Sequence, residues 1–189
     1  PGQFTFDFPF ATPGVGTFTA VITFTPDDTA SYETVAGTVE VEVIKATPTV
    51  SEWPTATMTY GETLAQAAVS GGAASVDGTF SFDTPSEAPN AGGYSASATF
   101  TPADTANYET VAGTIAVEVA KATPAINAWP MAGGLIYGQT LADAPLAGGD
   151  ASVAGSFAFA APATVPNAGT ANFDVVFTPD DASNYNTVT

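Results

Sequence analysis

Phe4, Phe6 and Phe8 alternate with Thr5 and Asp7, the two-residue period of a half-buried strand. Farther along, Phe18, Ala20, Ile22 and Phe24 fall on one face while Thr17, Thr19 and Thr23 fall on the other. Val39, Val41 and Val43 alternate in the same way with Thr38, Glu40 and Glu42. Strands with one apolar face predict antiparallel sheets packed as a sandwich. No stretch sustains the 3.6-residue period of an α-helix. Residues 61–70, GETLAQAAVS, come nearest, but they are short and bounded by turn signals. Pro13-Gly14, Pro89-Asn90-Ala91-Gly92 and Pro166-Asn167-Ala168-Gly169 read as turns, because Pro presets φ and Gly admits positive φ. Gly71-Gly72 and Gly148-Gly149 mark a second set, and Ala36-Gly37 and Ala112-Gly113 are expected to interrupt the chain before the last strand. Turns every 8–12 residues or so predict an all-β sandwich of about seven strands.

The pattern repeats. Residues 24–50 and 100–126 agree at 20 of 27 positions, and Phe24, Phe100 and Phe177 recur at spacings of 76 and 77. The central stretch reads FTPDDTASYETVAGTVEVEV, then FTPADTANYETVAGTIAVEV, then FTPDDASNYNTV. Trp53 matches Trp129, and YGETL at 60–64 matches YGQTL at 137–141. A period this long exceeds the 20–50 residues or so of solenoid repeats, so each copy is expected to build its own core. The copies join through Lys45-Ala46-Thr47-Pro48 and Lys121-Ala122-Thr123-Pro124, links too short and stiff to act as flexible tethers.

Composition sharpens this picture by exclusion. Among 189 residues, 45% are hydrophobic and only 11% charged, and Lys45 and Lys121 are the sole basic residues, giving a formal net charge of −17. A nucleic-acid partner would need a Lys/Arg footprint that the chain lacks. An anionic membrane surface would repel the chain, and no run of apolar residues is long enough to insert in a bilayer. Without Cys there is no disulfide framework, which for an extracellular array points toward bacteria. Without His or Cys, nucleophile–imidazole catalysis is impossible, and the remaining carboxylates lie mostly on strand faces and turns, so no enzyme is expected. The chain opens at Pro1 in mid-pattern, which reads as a window from a longer protein.

The order Tyr-Gly, Gly-Thr-Phe, Asn-Ala-Gly, Phe-Thr-Pro-x-Asp, Asn-Tyr, Gly-Thr-Val-x-Val, Lys-Ala-Thr-Pro resembles the bacterial immunoglobulin-like repeats of large surface and adhesin-type proteins. The resemblance spans the chain. It implies tandem Ig-like antiparallel β-sandwich domains arranged end to end, in a non-catalytic stalk on the bacterial cell surface or otherwise extracellular. In that phasing residues 1–45 are the later half of one repeat, 46–121 a complete repeat, and 122–189 a repeat lacking its last strand. The alternatives are an adhesive module for a glycan or host protein and a subunit of an extracellular filament. The expected partners are neighbouring repeats and other copies of the chain.

Three sets of residues invite functional readings. Asp28/Tyr32, Asp104/Tyr108 and Asp181/Tyr185 share an Asp-x-x-x-Tyr spacing that resembles the tyrosine corner of Ig-like sandwiches: the Asp holds the turn, the ring packs inward and the hydroxyl ties down the loop. The competing reading is calcium at the adjacent carboxylates Asp27 and Asp28, or Asp180 and Asp181. Calcium needs six or more oxygens and no Asp-x-Asp-x-Asp-Gly spacing supplies them, while Ala103 replaces the first Asp in the middle copy. Second, Trp53 and Trp129, with Tyr60 and Tyr137 and with Glu62 or Gln139, could form a sugar-stacking platform, although a repeated Trp more often closes a core or packs between domains. Third, Lys45 and Lys121 raise an isopeptide bond to Asn, which their places at strand ends disfavour.

Overall fold

A computed structural model describes all of residues 1–189. It is all-β, with no α-helix, and its sixteen strands run in chain order β1 (Gly2–Phe6), β2 (Gly16–Pro26), β3 (Val35–Val43), β4 (Val50–Glu52), β5 (Thr55–Thr59), β6 (Ala68–Ser70), β7 (Ala73–Ala74) and β8 (Gly78–Phe82), followed by β9 (Gly92–Pro102), β10 (Val111–Ala120), β11 (Ile126–Ala128), β12 (Met131–Ala132), β13 (Leu146–Ala147), β14 (Asp150–Ala151), β15 (Gly155–Phe159) and β16 (Val175–Pro179). The stretch that comes nearest to a helical period folds into a single 3-10 turn, Leu64–Gln66, matched by Leu141–Asp143. The strands form a three-stranded sheet β1-β2-β3, a five-stranded sheet β6-β5-β10-β9-β8, and four two-stranded ladders, β4-β7, β11-β14, β12-β13 and β15-β16.

The chain folds as two compact units. One comprises Pro1–Trp53, Gly72–Ser81 and Ala98–Gly113; the other comprises Pro54–Gly71, Phe82–Ser97 and Thr114–Thr189. Each contains one whole link between consecutive sequence copies, Lys45–Pro48 in the first and Lys121–Pro124 in the second.

In the first unit β1 pairs antiparallel with β2, and β2 with β3 from Gly16↔Val43 to Phe24↔Val35. The expected break at Ala36-Gly37 does not occur. Both residues lie inside β3, as Ala112-Gly113 lie inside β10. Packing explains the second glycine: a Cβ on Gly113 would sit 2.1 Å from the Trp53 ring, so glycine here admits an aromatic ring rather than a turn. Trp53 meets Phe80 edge to face at 5.4 Å, and Phe80 meets Phe100 at 5.0 Å, forming an aromatic stack. A second glycine device occurs in every copy. Gly2, Gly78 and Gly155 each leave room for the ring of Phe24, Phe100 or Phe177, whose Cζ would lie 2.5 Å from an added Cβ. The ring pairs Phe4–Phe24, Phe80–Phe100 and Phe157–Phe177 accordingly share one geometry, 4.9–5.0 Å apart and tilted 48–49°.

In the second unit the sheet departs from a purely antiparallel expectation. β5 pairs antiparallel with β6 but parallel with β10, from Ala116↔Thr55 to Ala120↔Thr59. A parallel pair cannot be closed by a tight hairpin, and more than fifty residues separate these two strands, so the chain has the length to bring them side by side. Ile115, Val117 and Val119 of β10 are buried, as are Ala56 and Met58 of β5 and Leu64 of the 3-10 turn. A cavity of about 470 Å³ lies within residues 122–189, between Leu135, Ile136, Leu141, Phe159 and Phe173.

The two equivalent glycines of the last strand are thus expected to differ. Gly113→Ala forces a Cβ into the Trp53 ring and should cost about 1–3 kcal/mol, the usual range for overpacking. Gly37→Ala meets nothing within 4 Å and should be near neutral. Chemical denaturation of the two variants checks this, and equal losses would refute the packing role of Gly113.

Candidate functional site

The three Asp-x-x-x-Tyr loops adopt one backbone shape. The N–H of Tyr32, Tyr108 and Tyr185 donates to the main-chain carbonyl of Asp28, Asp104 and Asp181, at 3.1 Å in each. The carboxylate of the same Asp closes the loop from the other side. Asp28 Oδ1 accepts from the N–H groups of Ala30 and Ser31, and Asp104 Oδ1 from those of Ala106 and Asn107, all at 3.2 Å. Asp181 Oδ1 accepts from Asn184 N–H at 3.3 Å. Aspartate suits this position because its short side chain reaches the N–H groups two and three residues ahead. This aspartate and the backbone of the tyrosine tie each loop.

The residue before that Asp varies for a visible reason. Main-chain N–H groups of Asp27, Ala103 and Asp180 donate to the carbonyls of Pro1, Asp77 and Ala154. Backbone alone makes this bond, so Ala103 serves as well as Asp. Nowhere in the chain do three or more Asp, Glu, His or Cys side chains gather as a metal cluster would require, and Asp27–Asp28 and Asp180–Asp181 remain pairs.

Two of the loops also hold the link that leads into their own copy. Ala46 N–H donates to Asn107 O at 2.9 Å and Glu109 N–H returns to Ala46 O at 2.9 Å, a one-residue parallel bridge with Tyr108. Ala122 makes the same bridge with Tyr185, through Asn184 O at 3.0 Å and Asn186 N–H at 2.8 Å. Pro48 and Pro124, two residues on, are buried.

The side chain just before the tyrosine reaches the preceding copy. Asn184 Oδ1 accepts from Ala91 N–H at 2.8 Å, while its Nδ2 donates to Asp181 Oδ2 at 2.8 Å and lies 3.5 Å from Asn90 Oδ1. Asn184 is only 7% exposed, the one buried polar side chain of the chain. In the first unit Asn107 repeats the arrangement: Oδ1 accepts from Val15 N–H at 3.3 Å, and Nδ2 donates to Asp104 Oδ2 at 2.8 Å. Val15 and Ala91 hold equivalent places, each directly before a glycine of positive φ, Gly16 at 130° and Gly92 at 120°. Around Asn184, Tyr60 meets Tyr185 edge to face at 5.3 Å, and Lys121 Nζ donates to Ala182 O at 2.6 Å. We call this arrangement a clamp, in which the corner loop of one copy grips the Pro-turn of the copy before it.

Electrostatics follows the hydrogen bonds. The Asn107 amide beside Asp104, with the loop N–H groups, holds that carboxyl below the ordinary carboxylate value; the Ser31 hydroxyl and N–H do the same for Asp28.

The other candidates separate. Trp53 is half-buried between Phe80 and Gly113, whereas Trp129 is 45% exposed over Phe157 at 5.9 Å. Tyr137 is exposed, and the polar groups offered as its sugar-binding partners serve their own turns: Glu62 Oε2 accepts from Thr59 N–H at 2.6 Å and Gln139 Oε1 from Ile136 N–H at 2.7 Å. Lys121 is bonded to a carbonyl and Asn127 to Asp150, not to each other. Sequence reasoning missed the role of Asn107 and Asn184. The signal that pointed to them was their placement, one residue before a repeated tyrosine and three after the loop aspartate.

No protein-family model matches the chain, nor does any curated protein or solved structure.

Two outcomes are expected. Asn184→Ala strands the Ala91 N–H and should cost about 1–3 kcal/mol, with faster amide exchange at Ala91; half-buried Asn107 should cost less on the same change. Unaltered exchange at Ala91 would contradict the clamp. A depressed carboxyl pKa stabilises the folded form above the ordinary value near 3.8, and this contribution is lost as pH falls through the lower folded value. Amide protection at Ser31 and Asn107 should hold at neutral pH and fall only below about pH 3.8, as read by NMR titration.

Proposed function

We propose that the chain is a non-catalytic spacer: tandem Ig-like β-sandwich repeats, end to end, in a bacterial secreted or cell-surface protein of the adhesin type. The observation that carries this reading is the clamp. The same loop that closes each copy is bonded to the link and to the preceding turn, at both links in the chain. A link pinned on both sides transmits orientation, which a spacer needs and an independent binding module does not.

Composition supports the reading from a second direction. A chain with no His, no Cys and no cluster of three carboxylates lacks the groups that most catalysis uses. Near-identical neighbouring repeats are also prone to misassemble with one another, and a net charge of −17 opposes that by mutual repulsion. The adhesive alternative draws on Tyr137, 77% exposed, and on Trp129, which packs on Phe157 but is still 45% exposed. Their equivalents, Trp53 and Tyr60, are packed against Phe80 and Tyr185, which favours a structural role at these positions.

The spacer reading is tested by backbone relaxation in solution. Amides of residues 82–97 and of residues 122–189 are expected to report a single tumbling time. Two well-separated times would show the link to be a free hinge and would remove the spacer mechanism.

A further inference from the structure

Chain order and sheet order diverge in the five-stranded sheet. β5 is its first strand along the chain and β10 its last, yet the two lie side by side in the middle of the sheet. They run parallel, paired from Ala116↔Thr55 to Ala120↔Thr59, and Tyr60 N–H extends the ladder with a 2.8 Å bond to Ala120 O. Tension along the chain pulls β5 back from its start at Thr55 and draws β10 forward from its end at Ala120. In a parallel pair these pulls oppose each other along the strands, so the bonds joining the strands are loaded in shear and all at once. An antiparallel pair would take both pulls at one end and open bond by bond.

Packing keeps the ladder from creeping. Ala56 and Met58 of β5 and Val117 and Val119 of β10 are buried, while Thr55, Thr57, Thr59, Ala116, Glu118 and Ala120 between them are exposed. A slip of one residue would exchange the two faces, so the nearest acceptable register lies two residues away, about 6.6 Å. The whole ladder must break before it can re-form there. Pro54, fully buried, anchors the entry to β5. The far end is held by the corner loop of the following copy. Tyr60 meets Tyr185 edge to face at 5.3 Å, Lys121 Nζ donates to Ala182 O at 2.6 Å, and Asn186 Nδ2 donates to Lys121 O at 3.3 Å. The end of β5 and the exit from β10 are thus bonded to one loop.

We infer that the β5–β10 ladder gives the chain a further function, bearing tension, and that the corner loop of residues 181–186 locks the ladder's far end. Holding orientation at a link and resisting a pull are separate properties, and the second does not depend on the first. Resistance to pulling is set by the barrier to unfolding along the pulling direction rather than by equilibrium stability. One ladder therefore has two strengths, high when loaded lengthwise and low when loaded crosswise. Because the lock belongs to the next copy, a copy resists more strongly while the corner loop that follows it is folded.

Optical tweezers test this on the whole chain, which has no Cys of its own, so that paired cysteines at exposed positions fix where the handles attach. Thr55→Cys with Ala120→Cys pulls the ladder lengthwise, and Thr55→Cys with Ala116→Cys pulls it crosswise, both kept reduced until coupled. At one loading rate, lengthwise rupture is expected at a severalfold higher force than crosswise rupture. It should release about 200 Å of chain, the extended length of residues 55–120 less their folded span. Equal forces in the two directions overturn the load-bearing role. Tyr185→Ala, or Lys121→Ala where the first variant fails to fold, tests the lock. Either should lower the lengthwise force and leave unchanged the crosswise opening, which starts at the opposite end of the ladder. A lengthwise force that neither substitution moves, or an equal fall in both directions, overturns the lock. Two tumbling times in the relaxation experiment, found together with a high lengthwise force, would remove the spacer reading and leave the load-bearing ladder standing.

Discussion

A single carboxylate holds each corner loop shut, and the junctions depend on it. In three copies an aspartate takes up the N–H groups ahead of it while its own carbonyl receives the tyrosine N–H four residues on. With the loop closed, the backbone on either side of the tyrosine is fixed and can pair with Ala46 or Ala122 of the link. The neighbouring asparagine is then aimed outward at a fixed angle, with its Nδ2 spent on the aspartate and its Oδ1 turned to the turn of the copy before. Loop, link and junction thus share one set of bonds.

The cores that these loops border are built on glycine as much as on large apolar residues. Gly2, Gly78 and Gly155 lie under phenylalanine rings, and Gly113 lies under Trp53. A strand glycine sacrifices propensity, but here it lets a ring approach the backbone closely. The uniform ring geometry across three copies, despite differences in the surrounding sequence, indicates that this contact is set by the pair itself. Trp129 shows the converse. It packs edge to face on Phe157 at 5.9 Å, with no such glycine contact, and is 45% exposed.

Much of this was legible in the sequence, and the failures have physical causes. Alternation of Phe, Ile and Val with Thr and Glu gave strand identity directly, because a period of two has no helical interpretation. Asp28, Asp104 and Asp181 could be assigned to turn closure because aspartate chemistry is local. Ala112-Gly113 was misread as a break because its glycine makes room for the Trp53 ring, and Ala36-Gly37 because pairing with β2, which leaves no local trace, keeps it in the strand. The parallel pairing of β5 with β10 was invisible, since pairing between strands so far apart in sequence leaves no local trace. The part played by Asn107 and Asn184 was not legible, because their partners, Val15 and Ala91, contribute only backbone N–H groups and so impose no side-chain signature.

The account stands or falls on whether the corner loop of residues 122–189 is energetically coupled to the copy before it. The most direct measurement is a double-mutant cycle on Tyr60 and Tyr185, whose rings meet edge to face at 5.3 Å across the link. Stabilities of Tyr60→Ala, Tyr185→Ala and the double variant give the coupling free of each residue's separate packing. The account predicts a favourable coupling of about 0.5–1.5 kcal/mol, the range for such aromatic pairs. Strict additivity of the two substitutions would contradict it.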